Sequence, residues 1–282
     1  ICNLLFVIYE TFLIKINLII NRLIVFFFHV FGGITVLSEI EKILPYEDIV
    51  YFGDTARVPY GNKSQSTIRK FSVENILFLL DKKVKMVIVA CNTASSLAMD
   101  YLKKTFNVYI TGVIEPGVQK ALIVSRSSVI GVVGTRSTIA SASYEKEIAK
   151  YNPGALVYSK SCPLFVPLVE EGLLTGKITQ EVIEMYLQDF KRKRVDSLIL
   201  GCTHYPLLKQ EISRYLQDTF IVDSAKEVAL HTKQFLTKNN FLNKKKRKGK
   251  KDFYVTDEPT QFIKLAKLFL KRTIARPEVI NV

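Results

Sequence analysis

The sequence predicts an α/β protein made of two doubly wound parallel-sheet domains with pseudo-twofold similarity and an active site in the cleft between them. Three observations support this prediction. From Asp48 onward, short apolar runs alternate with segments of helical periodicity, which is typical of parallel sheets covered by helices. An apolar run followed by a small residue and a cysteine occurs twice, about one domain length apart. The 282 residues are enough for two such domains.

The predicted strands are short apolar runs, because a strand covered by helices on both faces needs apolar side chains throughout. In chain order they are residues 23–28, 48–52, 84–90, 108–114, 128–133, 155–159, 195–200, 220–222 and 253–255.

Helical patterns separate the predicted strands. Within residues 181–190, apolar side chains from Ile183 to Phe190 recur at i, i+3, i+4 and i+7, on one face of a helix. A polar and basic linker at 239–251 precedes the last strand, and a final helix is predicted at 259–270.

The last helices are expected to return to the first half of the chain. We therefore predict a first domain of residues 1–115 and 225–282, with residues 1–31 atypical, and a second domain of residues 116–224.

The positive charge of the chain is concentrated in one segment. Seven of the 14 net positive charges lie in residues 244–251, and the remainder of the chain carries only +7. No aromatic side chains interleave these charges, which favours a solvated loop over a nucleic-acid site. Nucleic acid is therefore not an expected partner.

The four cysteines, at positions 2, 91, 162 and 202, are too few and too scattered for a disulfide scaffold. This pattern predicts a reducing, cytoplasmic environment. It also directs attention to cysteine chemistry or burial.

Residues 1–31 are not predicted to form a membrane-spanning or export segment. Glu10, Lys15 and Arg22 interrupt the apolar run, which does not favour a transmembrane helix. A signal peptide is not expected either, because no basic leader precedes the run and no small-residue cleavage site follows it.

The repeated motif places two thiols in similar surroundings. Residues 87–93 (VIVACNT) and 197–204 (SLILGCTH) each join an apolar strand to a cysteine and polar residues that open a helix. Backbone N–H groups at a helix N-terminus favour the thiolate over the thiol, so each cysteine is a candidate base. Two facing thiols can invert a stereocentre without a cofactor, one removing a proton and the other delivering one to the opposite face. Asn92, Thr93 and Thr203 are candidate donors for the charge that develops.

Four ordered motifs now resemble the bacterial glutamate racemase family. They are residues 53–61 (GDTARVPYG), 90–94 (ACNTA), 162–170 (CPLFVPLVE) and 201–207 (GCTHYPL), and the resemblance runs over about 250 residues from Gly32. It implies that Cys91 and Cys202 are the two acid/base cysteines, that no cofactor or metal is needed, and that glutamate is the substrate.

The resemblance also implies roles for other residues. Those that would bind substrate are Tyr60, Gly61, Asn92, Thr93, Thr203 and His204. His204 and Glu170 would assist Cys202, and Asp54 would act near Cys91. Without the motifs, a helix-capping His204, a surface Glu170 and a turn-forming Asp54 would be preferred. Arg57 is left without a role, either guiding acidic substrate or pairing structurally.

The chain departs from the family before Gly32. The family has an Asp-Ser-Gly turn here, where this sequence has Phe28, His29 and Val30. Phe28 offers no carboxylate and Val30 strains a turn made for glycine, so impaired catalysis is expected. The abrupt change predicts that residues 1–31 are not the native start, as a shift of reading frame before Gly32 would produce.

Three alternatives remain open. The first is an aspartate or hydantoin racemase of the same superfamily; the second is an inactive fold kept as a binding protein; the third is a chain anchored to a membrane by residues 1–31. The resemblance itself implies a cytoplasmic homo-oligomer, a dimer, that supplies D-glutamate for peptidoglycan.

Overall fold

The computed structural model describes residues 22–27, 32–245, 247–270 and 272–282. The strands are β1 (Arg22–Phe27), β2 (Asp48–Gly53), β3 (Val84–Val89), β4 (Tyr109–Gly112), β5 (Val129–Gly134), β6 (Leu156–Ser161), β7 (Ser197–Gly201), β8 (Phe220–Val222), β9 (Lys251–Val255) and β10 (Glu278–Val279).

The helices lie between these strands. They are α1 (Gly32–Ile43), α2 (Gln65–Asp81), α3 (Asn92–Leu97), α4 (Met99–Thr105), α5 (Ile114–Val124), α6 (Arg136–Ala140), α7 (Ser143–Tyr151), α8 (Phe165–Glu170), α9 (Lys177–Arg192), α10 (Lys209–Tyr215), α11 (Ser224–Lys238) and α12 (Pro259–Leu270). Short 3₁₀ turns lie at Thr55–Arg57, Tyr60–Asn62 and Tyr205–Leu208.

The strands form two parallel sheets. The first has the order β10-β9-β2-β1-β3-β4 and the second has the order β6-β5-β7-β8. Every pairing in both sheets is parallel. The predicted α/β class with two parallel sheets is confirmed. Because all strands of a sheet run the same way, their carboxyl ends share one edge, where such folds place ligands.

Helices cover both faces of the first sheet. Ile49 and Tyr51 of β2 pack in one core with α1, α11 and α12. Val50 and Phe52 of the same strand pack in another core with α2 and α4. This alternation is the pleat of the strand, and it explains why the strand is apolar throughout.

The second sheet is covered in the same way. Ile130 and Val132 pack with α5 and α7 on one face. Leu198 and Leu200 pack with α8 and α9 on the other. Both sheets are therefore doubly wound, as the sequence predicts.

The chain returns to the first sheet after β8. Val228 and Ala229 of α11 share a core with Ile40 of α1, and β9 pairs with β2, with Phe253 beside Tyr51. The bounds predicted for the two domains stay a prediction.

The basic segment is held against the amino end of β2. The Lys245 Nζ lies 2.6 Å from Asp48 Oδ2, the Lys250 amide donates to Asp48 Oδ1 over 2.7 Å, and the Arg247 guanidinium lies 3.6 Å from the same oxygen. Burial acts to raise the pKa of Asp48, but these hydrogen bonds and charges lower it overall. The segment is therefore anchored to the first sheet through Asp48, which the sequence analysis did not predict.

The N-terminal predictions are covered only in part. The strand predicted at 23–28 is found as β1, between β2 and β3. The predictions about Phe28, His29 and Val30 and about the start of the chain lie outside the described residues. Within the ranges that the structure describes, no helix combines the length and apolar character that crossing a membrane requires.

Candidate active site

Each of the two thiols follows the carboxyl end of a central strand. Cys91 comes after β3 and is the N-cap residue of α3. Cys202 directly follows β7 and precedes the 3₁₀ turn at Tyr205–Leu208. Both are buried, with 6% of each residue exposed. The repeated strand-to-cysteine motif therefore forms the same local structure in both sheets.

The surroundings of Cys91 favour the neutral thiol. Burial raises its pKa to about 11, although the amides of Ala94 and Thr93 and the Thr93 hydroxyl act to lower it. The backbone donors act in the predicted direction. Desolvation outweighs them in the free protein, so the thiol is the favoured form there.

Cys202 behaves in the same way. Burial raises its pKa to about 12, the amides of His204 and Tyr205 lower it, and the charges of Cys91 and Glu170 raise it further. The Cys91 contribution places the charge of the first thiol near the second. An ionised Cys91 disfavours ionisation of Cys202, so a thiolate and a thiol form the preferred pair.

His204 and Glu170 line up behind Cys202. The His204 Nδ1 lies 3.6 Å from the Cys202 Sγ, and its Nε2 lies 3.5 Å from Glu170 Oε1. Burial lowers the pKa of His204 to about 3, so the imidazole is neutral. His204 precedes a 3₁₀ turn, but its side chain makes no capping hydrogen bond. The structure thus brings together the three residues predicted around the second cysteine.

Asp54 lies at the centre of a buried polar cluster. Both of its carboxylate oxygens accept hydrogen bonds from Arg57 Nε at 2.8 Å. The hydroxyls of Tyr60 and Thr256 and the Asn75 amide also donate to this carboxylate. Asp54 is fully buried and directly precedes the 3₁₀ turn at Thr55–Arg57, but its side chain makes no capping hydrogen bond. A catalytic role for Asp54 stays a prediction, while Arg57 is its ion-pair partner.

The backbone at Gly61 contacts the start of α6, the helix that follows β5 of the second sheet. Its carbonyl accepts a hydrogen bond from the Ser137 hydroxyl over 2.6 Å. A Cβ at this position would lie 3.0 Å from the Thr135 Cβ, a contact so tight that Thr135 would have to shift. The segment containing Tyr60 and Gly61 therefore bridges the carboxyl edges of the two sheets.

In the part of the chain that the structure describes, no group of three or more His, Cys, Asp or Glu side chains has an arrangement that could hold a metal ion.

Comparison with known proteins decides the family. The family model described as Asp/Glu/Hydantoin racemase matches residues 33–232. The chain belongs to this racemase family. The match begins one residue after Gly32, the point from which the sequence resemblance was predicted to run.

Individual racemases resemble the whole fold. A glutamate racemase from Aquifex aeolicus is 49% identical over 239 residues, which are 85% of this chain and 90% of that protein. The crystal structure of a glutamate racemase from Francisella tularensis, in complex with D-glutamate, is 38% identical with a TM-score of 0.86. One from Bacillus anthracis is 33% identical with a TM-score of 0.89. Each of these two comparisons covers 93% of this chain and 98% of the other.

Three hydroxyls of this racemase meet beside the first thiol, and two of them were not predicted. Thr93 Oγ1 lies 3.1 Å from Thr135 Oγ1 and 3.3 Å from Thr138 Oγ1, and the last two are 2.9 Å apart. Thr135 is the N-cap of α6, directly after β5. A signal was present, because Gly134 and Thr135 also join a buried strand to a helix at this edge.

A buried tyrosine was also missed. The Tyr144 hydroxyl of the second half donates to Asn92 Oδ1 over 2.5 Å, next to Cys91. The two halves of the racemase are therefore joined at the predicted site residues Asn92 and Thr93.

The predicted site residue Thr203, which lies between Cys202 and His204, is buried, with 7% of the residue exposed.

Proposed function

We propose that this chain interconverts L- and D-glutamate through a two-base mechanism in which Cys91 and Cys202 act on opposite faces of the substrate Cα. The observation that carries the proposal is the pair of matched thiols, each at the carboxyl end of a central strand, with the charge of Cys91 raising the pKa of Cys202. The relatives support glutamate as the substrate, since they are glutamate racemases and one was solved with D-glutamate.

The reaction exchanges one proton for another. One cysteine acts as the thiolate and takes the Cα proton, and the other acts as the thiol and donates a proton to the opposite face. One C–H bond breaks and one forms, the configuration inverts, and the two sulfurs exchange protonation states. Because both sulfurs are buried, water is kept from the carbanion-like transition state.

Backbone donors stabilise the charge that develops. The amides of Thr93 and Ala94 face the first sulfur, and those of His204 and Tyr205 face the second. These groups are fixed by their helical turns, so they need no reorganisation when a sulfur becomes negative.

Glu170 and His204 prepare Cys202 for proton transfer. A carboxylate only accepts hydrogen bonds, so Glu170 favours the tautomer of His204 that carries its proton on Nε2. Nδ1 is then the acceptor 3.6 Å from the Cys202 sulfur. His204 thus orients the proton of the Cys202 thiol, which passes to Cα in the reaction.

The substrate carboxylates are assigned to the polar groups around the thiols. Asn92 and Thr93 hold the substrate beside Cys91, Thr203 and His204 hold it beside Cys202, and the Tyr60–Gly61 segment closes the site. The Tyr60 hydroxyl already donates to Asp54, so this segment would offer its backbone. Asp54 would then position the segment.

The biological setting follows from the family resemblance. We assign the product D-glutamate to peptidoglycan synthesis in the cytoplasm, with the chain acting as a homodimer. The two domains are assigned to residues 1–115 with 225–282 and to residues 116–224. An aspartate substrate has less support, since structures named as aspartate racemase or its homologue are at most 19% identical and show the fold alone.

The test is conversion of L-glutamate by the purified chain in D₂O, followed by circular dichroism and by mass analysis. We expect racemisation, with deuterium at Cα of the newly formed enantiomer. Cys91→Ala and Cys202→Ala should each abolish it. Cys162→Ala is the matched control, since this buried thiol, near the Lys160 carbonyl, lies outside the two strand-to-cysteine motifs at 87–93 and 197–204, and its variant should keep activity.

Other outcomes decide between the alternatives. Conversion of aspartate instead of glutamate would change the substrate class. A folded chain that converts neither amino acid would contradict the proposal and support an impaired racemase fold. Activity that survives either active-site cysteine substitution would refute the two-thiol mechanism.

A further inference from the structure

Tyr144 links the turns that carry the two thiols. It lies on α7 beside the second sheet, is 1% exposed, and packs with Val132 and Ile199. Its hydroxyl reaches Asn92, which follows Cys91 in the first sheet's half of the chain. One side chain of the second half therefore makes a buried hydrogen bond inside the first thiol's turn.

The ring of Tyr144 also lies against the strand that leads to Cys202. A Cβ added to Gly201 would be 3.1 Å from the Tyr144 Cε2 and 2.7 Å from the Val133 carbonyl oxygen. Only glycine leaves room for the ring at this point. Tyr144 is thus fixed next to Cys202 while its hydroxyl extends to the residue after Cys91.

The Tyr144 hydroxyl is a donor, which fixes the orientation of the Asn92 amide. Burial raises the pKa of Tyr144 well above its usual range, the Ser224 hydroxyl lowers it, and the charge of Cys202 raises it. The protonated hydroxyl donates to Oδ1, so the nitrogen of the same amide must face another direction.

The Asn92 side-chain nitrogen is a buried hydrogen-bond donor that is free to bind a ligand. Asn92 is 3% exposed, and its Nδ2 has no hydrogen-bond partner among the residues that the structure describes. A buried donor without a partner is costly, and a carboxylate ligand satisfies it.

We propose that Tyr144 is a positioning residue of the racemase site: its hydroxyl holds the Asn92 amide so that Nδ2 donates to a carboxylate of glutamate. The inference rests on the proposed function and deepens it, because it assigns the orientation of one substrate contact to a residue from the other half. Tyr144 itself does not touch the reacting atoms.

The decisive variant is Tyr144→Phe, which removes the hydroxyl and keeps the ring against Gly201. Without the hydroxyl, the amide can rotate and present its oxygen to the carboxylate. We expect KM for both glutamate enantiomers to rise about tenfold, while kcat changes less than twofold, because the contact exists in both ground and transition states.

A double-variant cycle separates positioning from general damage. In an Asn92→Ala background, Tyr144→Phe should cause no further rise in KM, because the group that it positions is gone. Tyr109→Phe is the matched control. It also removes a hydroxyl that hydrogen-bonds to a side chain, His231 at 2.9 Å, and should leave KM unchanged.

A second measurement does not depend on activity. The Asn92 side-chain amide signals in a ¹⁵N NMR spectrum, assigned with Asn92→Ala, should shift in free Tyr144→Phe and remain in place in Tyr109→Phe. If wild type converts no glutamate, the proposed function fails while this spectrum still tests the hydrogen bond. Unchanged amide signals, an unchanged KM in active protein, or equal effects with and without Asn92 would overturn the inference.

Discussion

The buried imidazole of His204 makes stability depend on pH in a way that can be calculated. Its pKa is about 3 in the folded protein because burial disfavours the charged ring, whereas an unfolded chain has a histidine pKa of about 6.5. Below pH 6.5 the unfolded chain therefore binds a proton that the native protein excludes. Stability is fully present above pH 6.5 and is lost as the pH falls from there towards 3.

The expected size follows from the distance below the unfolded pKa. At pH 5 the chain is one and a half units below 6.5, and each unit corresponds to about 1.4 kcal/mol. The unfolding free energy should therefore fall by about 2 kcal/mol between pH 7.5 and pH 5 through His204 alone. His204→Gln cannot bind this proton and should lack that component.

Urea unfolding of both proteins at the two pH values measures the difference. Subtracting the two pH dependences removes the contributions of the carboxyl groups, which the proteins share. His231→Gln is the matched control, because burial also lowers the pKa of His231 but this residue is only partly buried. If wild type and His204→Gln lose the same free energy at pH 5, then His204 is not held neutral by burial and the reasoning is refuted.

The remaining predictions concern the thiols, one glycine and the polar cluster. Because the pKa values of Cys91 and Cys202 are about 11 and 12, kcat/KM for glutamate should rise up to about tenfold per unit between pH 7 and 9, read from initial rates. Gly201→Ala should destabilise the fold by about 1–3 kcal/mol in thermal unfolding, since its Cβ would meet backbone at 2.7 Å. Asp54→Asn should cost about 1.5–3 kcal/mol in urea unfolding, since Arg57 loses charge-assisted hydrogen bonds to a buried carboxylate while it keeps its ion pair with Glu74.

Each of these three predictions would be contradicted by a specific result. A flat pH profile would mean that a thiolate already exists at neutral pH. Gly154→Ala is the control for the glycine, since the nearest atom to its Cβ would be 3.6 Å away, and equal effects at both sites would refute the close-packing argument. An Asp54→Asn variant as stable as wild type would show that the carboxylate charge is dispensable.

Much of the fold follows from local patterns. The apolar run predicted at 84–90 is found at Val84–Val89, and the final helix is found at Pro259–Leu270 as predicted. Each of these segments carries its own periodicity and end signals. The two-residue strand β10 was missed, since Glu278 and Val279 have no strand pattern of their own and, among the described residues, pair only with β9.

The site residues could be predicted from the sequence only where they are neighbours along the chain. Cys91 and Asn92 stand in one motif, so they were identified together. Tyr144 and Thr135 reach the same place from another part of the chain, and only tertiary packing makes them neighbours. The net pKa shifts of the thiols could not be predicted from the sequence for a related reason, because the degree of burial that sets a pKa depends on the whole fold.

The return of the chain to the first sheet has a consequence for biosynthesis. β2 pairs with β9 about 200 residues later, whereas every strand of the second sheet lies between Val129 and Val222. On the ribosome the second sheet can be completed while β2 still has an open edge that only the last part of the chain will cover. We therefore expect the nascent chain to fold from its middle outward, with the exposed β2 edge as the point at which a stalled or truncated chain aggregates.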